Sequence, residues 1–285
     1  MTLEPLDLLH QGCERVIGVY LLETDDGPAL FDCGPASCRE VLLRRLEERG
    51  LALTDLGHLL LSHIHLDHAG ATGVLVREHP GLQVHVSEVG APHLVDPSRL
   101  ERSARRLYGE RFDSLWGELA PVPEGNIRLA GPSVLGLDCF PAPGHASHHV
   151  VYLHGDSTAY CGDAAGVRIQ PSAYVIPPTP PPDIDVEGWQ RTLDELDRRG
   201  AARLALTHFG TVEDPEPHLR ELRERLRAWS AEVEADVSES EFVARREEEL
   251  RRLVGDNASP YEQAIPFGQS YAGLKRWCDK RRDVA

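Results

Sequence analysis

A short apolar run followed at once by four metal-capable side chains constrains this chain more than any other feature. The run LLLS precedes HIHLDHAG, which places His63, His65, Asp67 and His68 within six residues. In an extended segment, side chains at positions i and i+2 point to the same side, so His63 and His65 can present two imidazoles to one ion. Asp67 and His68 follow where the chain turns into a helix, and a carboxylate beside histidines also orients them. The pattern predicts a metal site at the end of a buried strand.

Three further metal-capable residues occupy the same kind of position. His145 lies in a Pro/Gly loop after the apolar run VLGLDCF, Asp163 follows STAYCG, and His208 follows RLALT. Because α/β proteins gather their sites at the carboxyl ends of their strands, we expect these residues to meet the first group. Imidazoles and carboxylates without a thiolate suit zinc, and also iron or manganese. Cys161 is expected to be a buried strand thiol rather than a ligand.

The order of apolar runs predicts an α/β layered fold, since strands and helices alternate along the chain. A hairpin is expected over residues 14–34, around the turn Asp25-Asp26-Gly27. Helices are expected over residues 37–50, 69–81 and 186–199. Further strands are predicted in the segments HLLLS, QVHVS, NIRL, VLGLDCF, HVVYLHG, STAYCGD and RLALTHFG.

Two segments depart from this alternation. Residues 88–120 are amphipathic and helical, with Asp96 as the expected N-cap and Pro97 at the first helical position. We interpret them as a helical insertion that could cover a site. After residue 213 the sequence is highly charged and nearly all helical in pattern. We therefore expect a catalytic domain over residues 1–213 and a helical C-terminal extension over residues 214–285.

Charge and composition limit the partners. The 46 acidic and 30 basic side chains give a net charge of −16, which argues against a nucleic-acid binder. No stretch approaches 18 consecutive apolar residues, so we expect no membrane-spanning helix. The first residues lack the apolar core of a signal peptide, and the six cysteines include no C-x-x-C pair. We expect a cytoplasmic protein with reduced thiols that acts on a small-molecule substrate, and a homo-oligomer remains open.

The ordered set of histidines and aspartates resembles that of the metallo-β-lactamase-fold metallohydrolases, in particular dinuclear members such as glyoxalase II. The order is H-x-H-x-D-H, then a distant histidine, an aspartate and a final histidine, within about residues 14–210. The resemblance implies a four-layer αββα sandwich and two divalent metal ions, with zinc favoured. It assigns one metal to His63, His65 and His145, the other to Asp67, His68 and His208, and the bridge between them to Asp163.

Three more residues take roles that the resemblance implies or leaves open. The segment FDCG resembles the family's early aspartate motif, so Asp32 is expected to support the metal-binding loops from behind. The family often has P-G-H-x-x-G-H where this chain has PGHASHH. His149 matches the last histidine of that motif, whereas His148 replaces a glycine. His148 is therefore a candidate support for the ligands, a substrate contact or a surface residue.

The helical insertion carries aromatic residues at helical spacing, Tyr108, Phe112 and Trp116 among them. Tyr108 and Trp116 could line a substrate pocket. The packing face of an amphipathic helix explains the same spacing. The spacing of these aromatic residues fits both interpretations.

The chemistry implied by this site is metal-assisted hydrolysis. Two metal ions about 3.5–4 Å apart can hold a bridging hydroxide and lower the pKa of its parent water. One metal would polarise the carbonyl and stabilise the oxyanion, with Asp67 as both ligand and orienter of the hydroxide. The expected reaction is hydrolysis of a small ester, thioester or lactone. The alternatives are an iron-dependent persulfide dioxygenase of the same fold and a phosphodiesterase or nuclease, the latter disfavoured by the negative charge.

Overall fold

Two six-stranded sheets form the centre of the protein. The computed structural model describes residues 3–255 and 258–284. The first sheet contains, in order, β1 (Leu6–Asp7), β2 (Gly18–Thr24), β3 (Gly27–Phe31), β4 (His58–Leu60), β5 (Gln83–Val86) and β6 (Ile127–Leu129). Strands β1 to β3 are antiparallel, whereas β3 to β6 are parallel. The expected hairpin is therefore β2 and β3.

The second sheet runs in chain order from one edge to the other. It contains β7 (Ser133–Val134), β8 (Leu137–Pro141), β9 (Val150–Leu153), β10 (Thr158–Tyr160), β11 (Arg203–Leu206) and β12 (Gly210–Val212). Its neighbouring strands are antiparallel except for β10 and β11, which are parallel. The parallel pair places the ends of β10 and β11 at the same edge of the sheet.

Helices cover the outer faces of both sheets. They are α1 (Arg39–Glu48), α2 (Leu66–Ala69), α3 (Thr72–Glu78), α4 (Ala91–Val95), α5 (Ser98–Tyr108), α6 (Phe112–Trp116), α7 (Val186–Arg199), α8 (Pro215–Glu234), α9 (Glu239–Val254), α10 (Ala258–Ala264) and α11 (Phe267–Val284). Leu42 of α1 and Leu75 of α3 pack on the first sheet. Trp189 of α7 and Leu222 of α8 pack on the second. The layers are therefore helix, sheet, sheet and helix.

The two sheets face each other through an aromatic layer. Phe31 of the first sheet lies 5.3 Å from the Tyr160 ring and 6.1 Å from the Tyr152 ring of the second. The hydroxyl of Tyr20 donates to the carbonyl of Leu206 across the interface, at 2.7 Å. Successive residues of each buried strand therefore pack alternately into the core between the two sheets and into the core between sheet and helices.

Two sequence predictions need correction at the level of single elements. The run VLGLDCF was predicted as one strand, but it forms the hairpin of β7 and β8. Leu135 and Gly136 have φ of 52° and 83°, the positive values that a two-residue hairpin turn requires. In the insertion, α5 begins at Ser98 rather than at Pro97. Asp96 Oδ1 still accepts a hydrogen bond from the Ser98 amide, at 3.1 Å.

The C-terminal helices share the core of the second sheet. Leu222, Trp229 and Phe242 lie in the same buried cluster as Trp189 and Leu206. Residues on both sides of position 213 thus pack in one core, and the division into a catalytic domain and a C-terminal extension at that position stays a prediction. Within the described part of the chain, no helix has both the length and the apolar character to cross a membrane.

Candidate metal centre

Strand ends bring all seven predicted ligands to one place. His63 and His65 follow the end of β4. Asp67 and His68 lie in α2, which starts at Leu66. The other three ligands, His145, Asp163 and His208, follow β8, β10 and β11. Their ligand atoms form overlapping groups of three, each within 4.8 Å, and these groups are His63, His65, His145; His63, His68, Asp163; and Asp67, His68, His208.

The first group is a cluster of imidazoles. His65 Nδ1 lies 2.9 Å from His145 Nε2. The His63 ring lies 4.5 Å from the His65 ring and 4.9 Å from the His145 ring. Three neutral imidazoles at these distances can direct lone pairs at one ion.

The group of Asp67, His68 and His208 adds a carboxylate. Asp67 Oδ2 lies 3.3 Å from His208 Nε2 and 3.8 Å from His68 Nε2. His68 and His208 are almost fully buried, whereas the Asp67 side chain is 23% exposed. The centre therefore has a solvent-facing side at Asp67.

Asp163 lies between the group of His63, His65 and His145 and the group of Asp67, His68 and His208. Its Oδ2 is 3.3 Å from His145 Nε2, and its Oδ1 is 3.4 Å from His68 Nε2 and 3.6 Å from His208 Nε2. One carboxylate thus turns one oxygen to each group, as a bridging ligand does.

Acceptors behind the rings fix which nitrogen faces the centre. The Nδ1–H groups of His68, His145 and His208 donate to Asp32 Oδ2, the Pro178 carbonyl and the Val16 carbonyl, at 2.8, 2.8 and 2.5 Å. A backbone carbonyl can accept but not donate, so Nδ1 carries the proton in His145 and His208, and the Asp32 carboxylate accepts in the same way from His68. The Nε2 lone pairs are then free for a metal.

Asp32 ties the ligand-bearing segments together. Its carboxylate accepts hydrogen bonds from the Ser62 amide and the Ser62 hydroxyl, both at 2.8 Å, and from the Thr207 hydroxyl at 3.2 Å. Ser62 and Thr207 were missed in the sequence. Their signal is the repeated pattern Leu-(Ser/Thr)-His, which occurs in LLLSH and LALTH at the ends of two apolar runs.

The electrostatics of the centre favour a cation. Burial alone would raise the pKa of Asp163, but the charges of His68, His145 and His208 hold it well below its usual range. Burial alone would lower the pKa of His68, but Asp163, Asp67 and Asp32 raise it well above its usual range, so a metal ion at Nε2 would take the place of a proton held by these carboxylates. Buried carboxylates here therefore stay ionised and draw positive charge to the centre.

The residues present fit divalent metal ions. His63 Nε2, His68 Nε2 and Asp163 Oδ1 are buried and have no hydrogen-bond partner among residues 3–255 and 258–284. Buried polar atoms without partners are rare in proteins, and metal coordination is one way to satisfy them. Nitrogen and oxygen donors suit zinc, iron and manganese alike. Cys161 is buried outside these groups and donates to the Ala159 carbonyl, at 3.3 Å.

His148 and His149 both lie behind the first group. His149 Nε2 accepts from the Asp163 amide at 3.2 Å, and its ring lies 4.7 Å from the His63 ring. His148 Nδ1 accepts from the Ile64 amide at 3.4 Å. Because His148 is 6% exposed, its interpretation as a surface residue is wrong.

Tyr108 and Trp116 meet in the insertion, with ring centroids 5.1 Å apart. Both pack against a small buried cluster that includes Leu66, the residue between His65 and Asp67. Trp116 also stacks on His10, a buried residue of the N-terminal loop, at 5.5 Å. His10 was missed because nothing in the local sequence distinguishes it from a solvated loop histidine.

Comparison with known proteins identifies the family of the chain. The family model of the metallo-beta-lactamase superfamily matches residues 15–208. The chain belongs to the metallo-beta-lactamase superfamily. Its members are generally metal-dependent hydrolases, and the αββα fold predicted from the sequence is confirmed.

Curated relatives are distant. The metallo-beta-lactamase fold-containing protein ST1585 of Sulfurisphaera tokodaii is 25% identical over 181 residues, which are 60% of this chain and 67% of that protein. Hydroxyacylglutathione hydrolase GloC of Haemophilus influenzae is 27% identical over 161 residues, 56% of this chain and 68% of that protein.

Solved structures share the fold over most of the chain. The crystal structure of ST1585 superposes with a TM-score of 0.65 and 20% identity, over 92% of this chain and 93% of that one. The family protein TTHA1429 from Thermus thermophilus gives a TM-score of 0.61 and 22% identity, over 94% and 89%. The likeness therefore includes the C-terminal helices as well as the matched domain.

Proposed function

We propose that this protein is a dinuclear metal-dependent hydrolase that cleaves a small ester, thioester or lactone. The observation that carries the proposal is the position of Asp163, whose two oxygens face the two ligand groups. His63, His65 and His145 would hold one ion, and Asp67, His68 and His208 the other. A zinc pair is favoured, with iron or manganese as alternatives.

The residues of the chain have distinct tasks in this reaction. Divalent ions held here supply Lewis acidity and a water of lowered pKa at neutral pH. Asp67, at the solvent-facing side, accepts a hydrogen bond from an entering water and orients it towards the substrate carbonyl. Asp32 keeps His68 in the tautomer that leaves Nε2 free.

A thioester is the first substrate class to test, because the relative GloC is named a hydroxyacylglutathione hydrolase. S-lactoylglutathione belongs to the class of substrates that this name describes. At 27% identity the name supports a choice of assay and no more.

The test is turnover of S-lactoylglutathione by zinc-loaded protein, with metal content measured in parallel. Asp163→Asn should lose activity by about 100-fold or more, because it removes the shared carboxylate charge. Asp138→Asn is the matched control, since Asp138 lies exposed on β8. Near-normal turnover by fully metal-loaded Asp163→Asn would remove Asp163 as the bridge.

The same preparation separates the alternatives. If S-lactoylglutathione is not cleaved, lactones and aryl esters are tested next, followed by bis(p-nitrophenyl) phosphate. Cleavage of the phosphodiester alone would favour a phosphodiesterase. An active protein with one iron per chain that consumes oxygen with glutathione persulfide would overturn the hydrolase proposal in favour of a dioxygenase.

A further inference from the structure

A loop of residues 178–185, which we call the proline loop, lies against the segment that carries His145. The Pro178 carbonyl accepts the Nδ1–H of His145 at 2.8 Å. At the other end of the loop, the Asp185 amide donates to the Gly144 carbonyl, also at 2.8 Å. The position of the proline loop therefore sets the position of the carbonyl that holds a candidate metal ligand.

The last helix, α11, supports the proline loop from behind. The Thr179 hydroxyl donates to the Ser270 carbonyl at 3.0 Å, and both residues are buried. The Pro182 carbonyl accepts from Arg276 Nε at 3.3 Å and from Lys280 Nζ at 3.4 Å. The contacting positions of α11 recur at helical spacing, so one face of the helix follows the loop.

Gly273 lies on the same face of α11, at a close approach of the helix to the loop. A Cβ added there would lie 2.0 Å from the Thr179 carbonyl oxygen and 2.8 Å from the Pro180 carbonyl carbon. Separations below 3.0 Å require an atom to move, and both of these atoms belong to the backbone. A side chain at position 273 would therefore force the helix and the loop apart, and Pro178 directly precedes the displaced Thr179.

We infer that Thr179 and Gly273 are positioning residues for the metal centre. By fixing the proline loop on α11, they hold the Pro178 carbonyl against the ring of His145. The inference rests on the proposed function, because His145 is a ligand of its metal pair. A group that accepts from a ligating histidine fixes the tautomer and orientation of the ring, and its loss weakens metal binding by about 10- to 100-fold. The C-terminal extension therefore takes part in building the metal centre.

The effect should be confined to one of the two ions. The rings of the other group have different supports, since His68 Nδ1 donates to Asp32 and His208 Nδ1 donates to the Val16 carbonyl. A shift of the proline loop should therefore weaken the ion that His145 shares, while the second ion keeps its affinity.

The first experiment measures zinc affinity rather than turnover, by competition with a chromophoric chelator. Gly273→Ala should weaken one of two zinc equivalents about tenfold and leave the other unchanged. Gly268→Ala is the matched control on α11, because its Cβ would meet the movable end of the Glu239 side chain, at 3.3 Å. Two zinc equivalents bound by Gly273→Ala as tightly as by the unmodified protein would overturn the inference.

A double-mutant cycle tests whether Gly273 acts through His145. His145→Ala removes the ligand, so Gly273→Ala should cause no further loss of zinc affinity in that background. A tenfold loss in both backgrounds would mean that the added methyl group disturbs the protein generally, and it would contradict the positioning role.

Thr179 answers the same question if Gly273→Ala does not fold. Thr179→Val preserves the buried volume but loses the hydrogen bond to Ser270, so the same zinc equivalent should bind about fivefold more weakly. Thr179→Ser keeps the hydroxyl and should restore the affinity of the unmodified protein. Equal zinc affinities in Thr179→Val and Thr179→Ser would contradict the inference.

Zinc affinity is measured independently of hydrolysis. Weaker zinc binding in Gly273→Ala, in a protein that cleaves no ester, thioester or lactone, would retain the positioning role and remove the proposed function. Hydrolysis of S-lactoylglutathione together with unchanged zinc affinity in Gly273→Ala would retain the function and remove the positioning role. A single bound ion whose affinity falls in Gly273→Ala would retain the positioning role and remove the metal pair.

Discussion

The Asp32 carboxylate lies 2.8 Å from His68 Nδ1, and both side chains are fully buried. The same carboxylate accepts from Ser62 after β4 and from Thr207 after β11. These strands belong to different sheets. One side chain at the end of β3 therefore fixes a ligand ring and joins the ligand-bearing edges of both sheets.

We predict that Asp32→Asn weakens metal binding by about 10- to 100-fold while leaving the fold intact. Asparagine matches the shape of aspartate and also tolerates the positive φ of 55° at this position. It loses the charge and turns a donor or a weaker acceptor towards His68. Chelator competition measures the affinity, and Asp26→Asn on the exposed hairpin turn is the control. Equal affinities in the two variants would contradict this role for Asp32.

Metal removal should destabilise the protein. Without a cation, the centre keeps buried carboxylates and imidazole nitrogens that lack partners. A metal at about 1,000 times its dissociation constant stabilises a fold by about 4 kcal/mol. We therefore expect a melting temperature about 10 °C lower after exhaustive chelation. Calorimetry of the chelated and the zinc-restored protein measures the difference. An unchanged transition in protein shown to be metal-free would argue against a site built for cations.

The fold and the meeting of the ligands could be predicted from the sequence because local patterns set them. Apolar runs of strand length end at His63, Asp163 and His208, and strand ends converge in layered α/β folds. The hairpin of β7 and β8 was missed although Gly136 was visible, because an apolar run hides a two-residue turn.

Other features depend on long-range packing, which a local pattern does not encode. His10 lies more than 50 residues from any ligand in the sequence, yet its ring stacks on Trp116 of the helical insertion. His148 is buried, and its Nδ1 accepts a hydrogen bond from the amide of Ile64, a residue of another loop. The sequence shows that Ser62 and Thr207 share the position directly before a ligand histidine. Their contact with the same carboxylate, that of Asp32, is seen in the three-dimensional structure.

The C-terminal extension should be required for folding. Leu222 and Trp229 of α8 are buried in the core of the second sheet with Trp189 of α7. Deleting residues 214–285 would expose that apolar surface, which costs roughly 25 cal/mol for each Å² returned to water. We expect residues 1–213 alone to be insoluble or to lack near-ultraviolet circular dichroism. A folded, metal-binding fragment would instead support an independent domain that ends at residue 213.

Stability should fall in mild acid partly through His218 on α8. This side chain is buried, and its Nε2–H donates to the Ala165 carbonyl at 2.7 Å. Burial lowers its pKa from 6.5 to about 4. Between these values the unfolded chain binds the proton and the folded chain does not, so stability is lost as the pH falls through this window.

The contribution of His218 can be isolated with His218→Gln, which can still donate to Ala165 but does not titrate. From pH 7 to pH 5, the unmodified protein should lose about 2 kcal/mol more unfolding free energy than the variant. Urea denaturation of both zinc-loaded proteins at the two pH values measures this difference. Ligand histidines titrate in both proteins alike, so their effect cancels in the comparison. Parallel losses in the two proteins would mean that His218 is already protonated in the folded state or that the core relaxes around its charge.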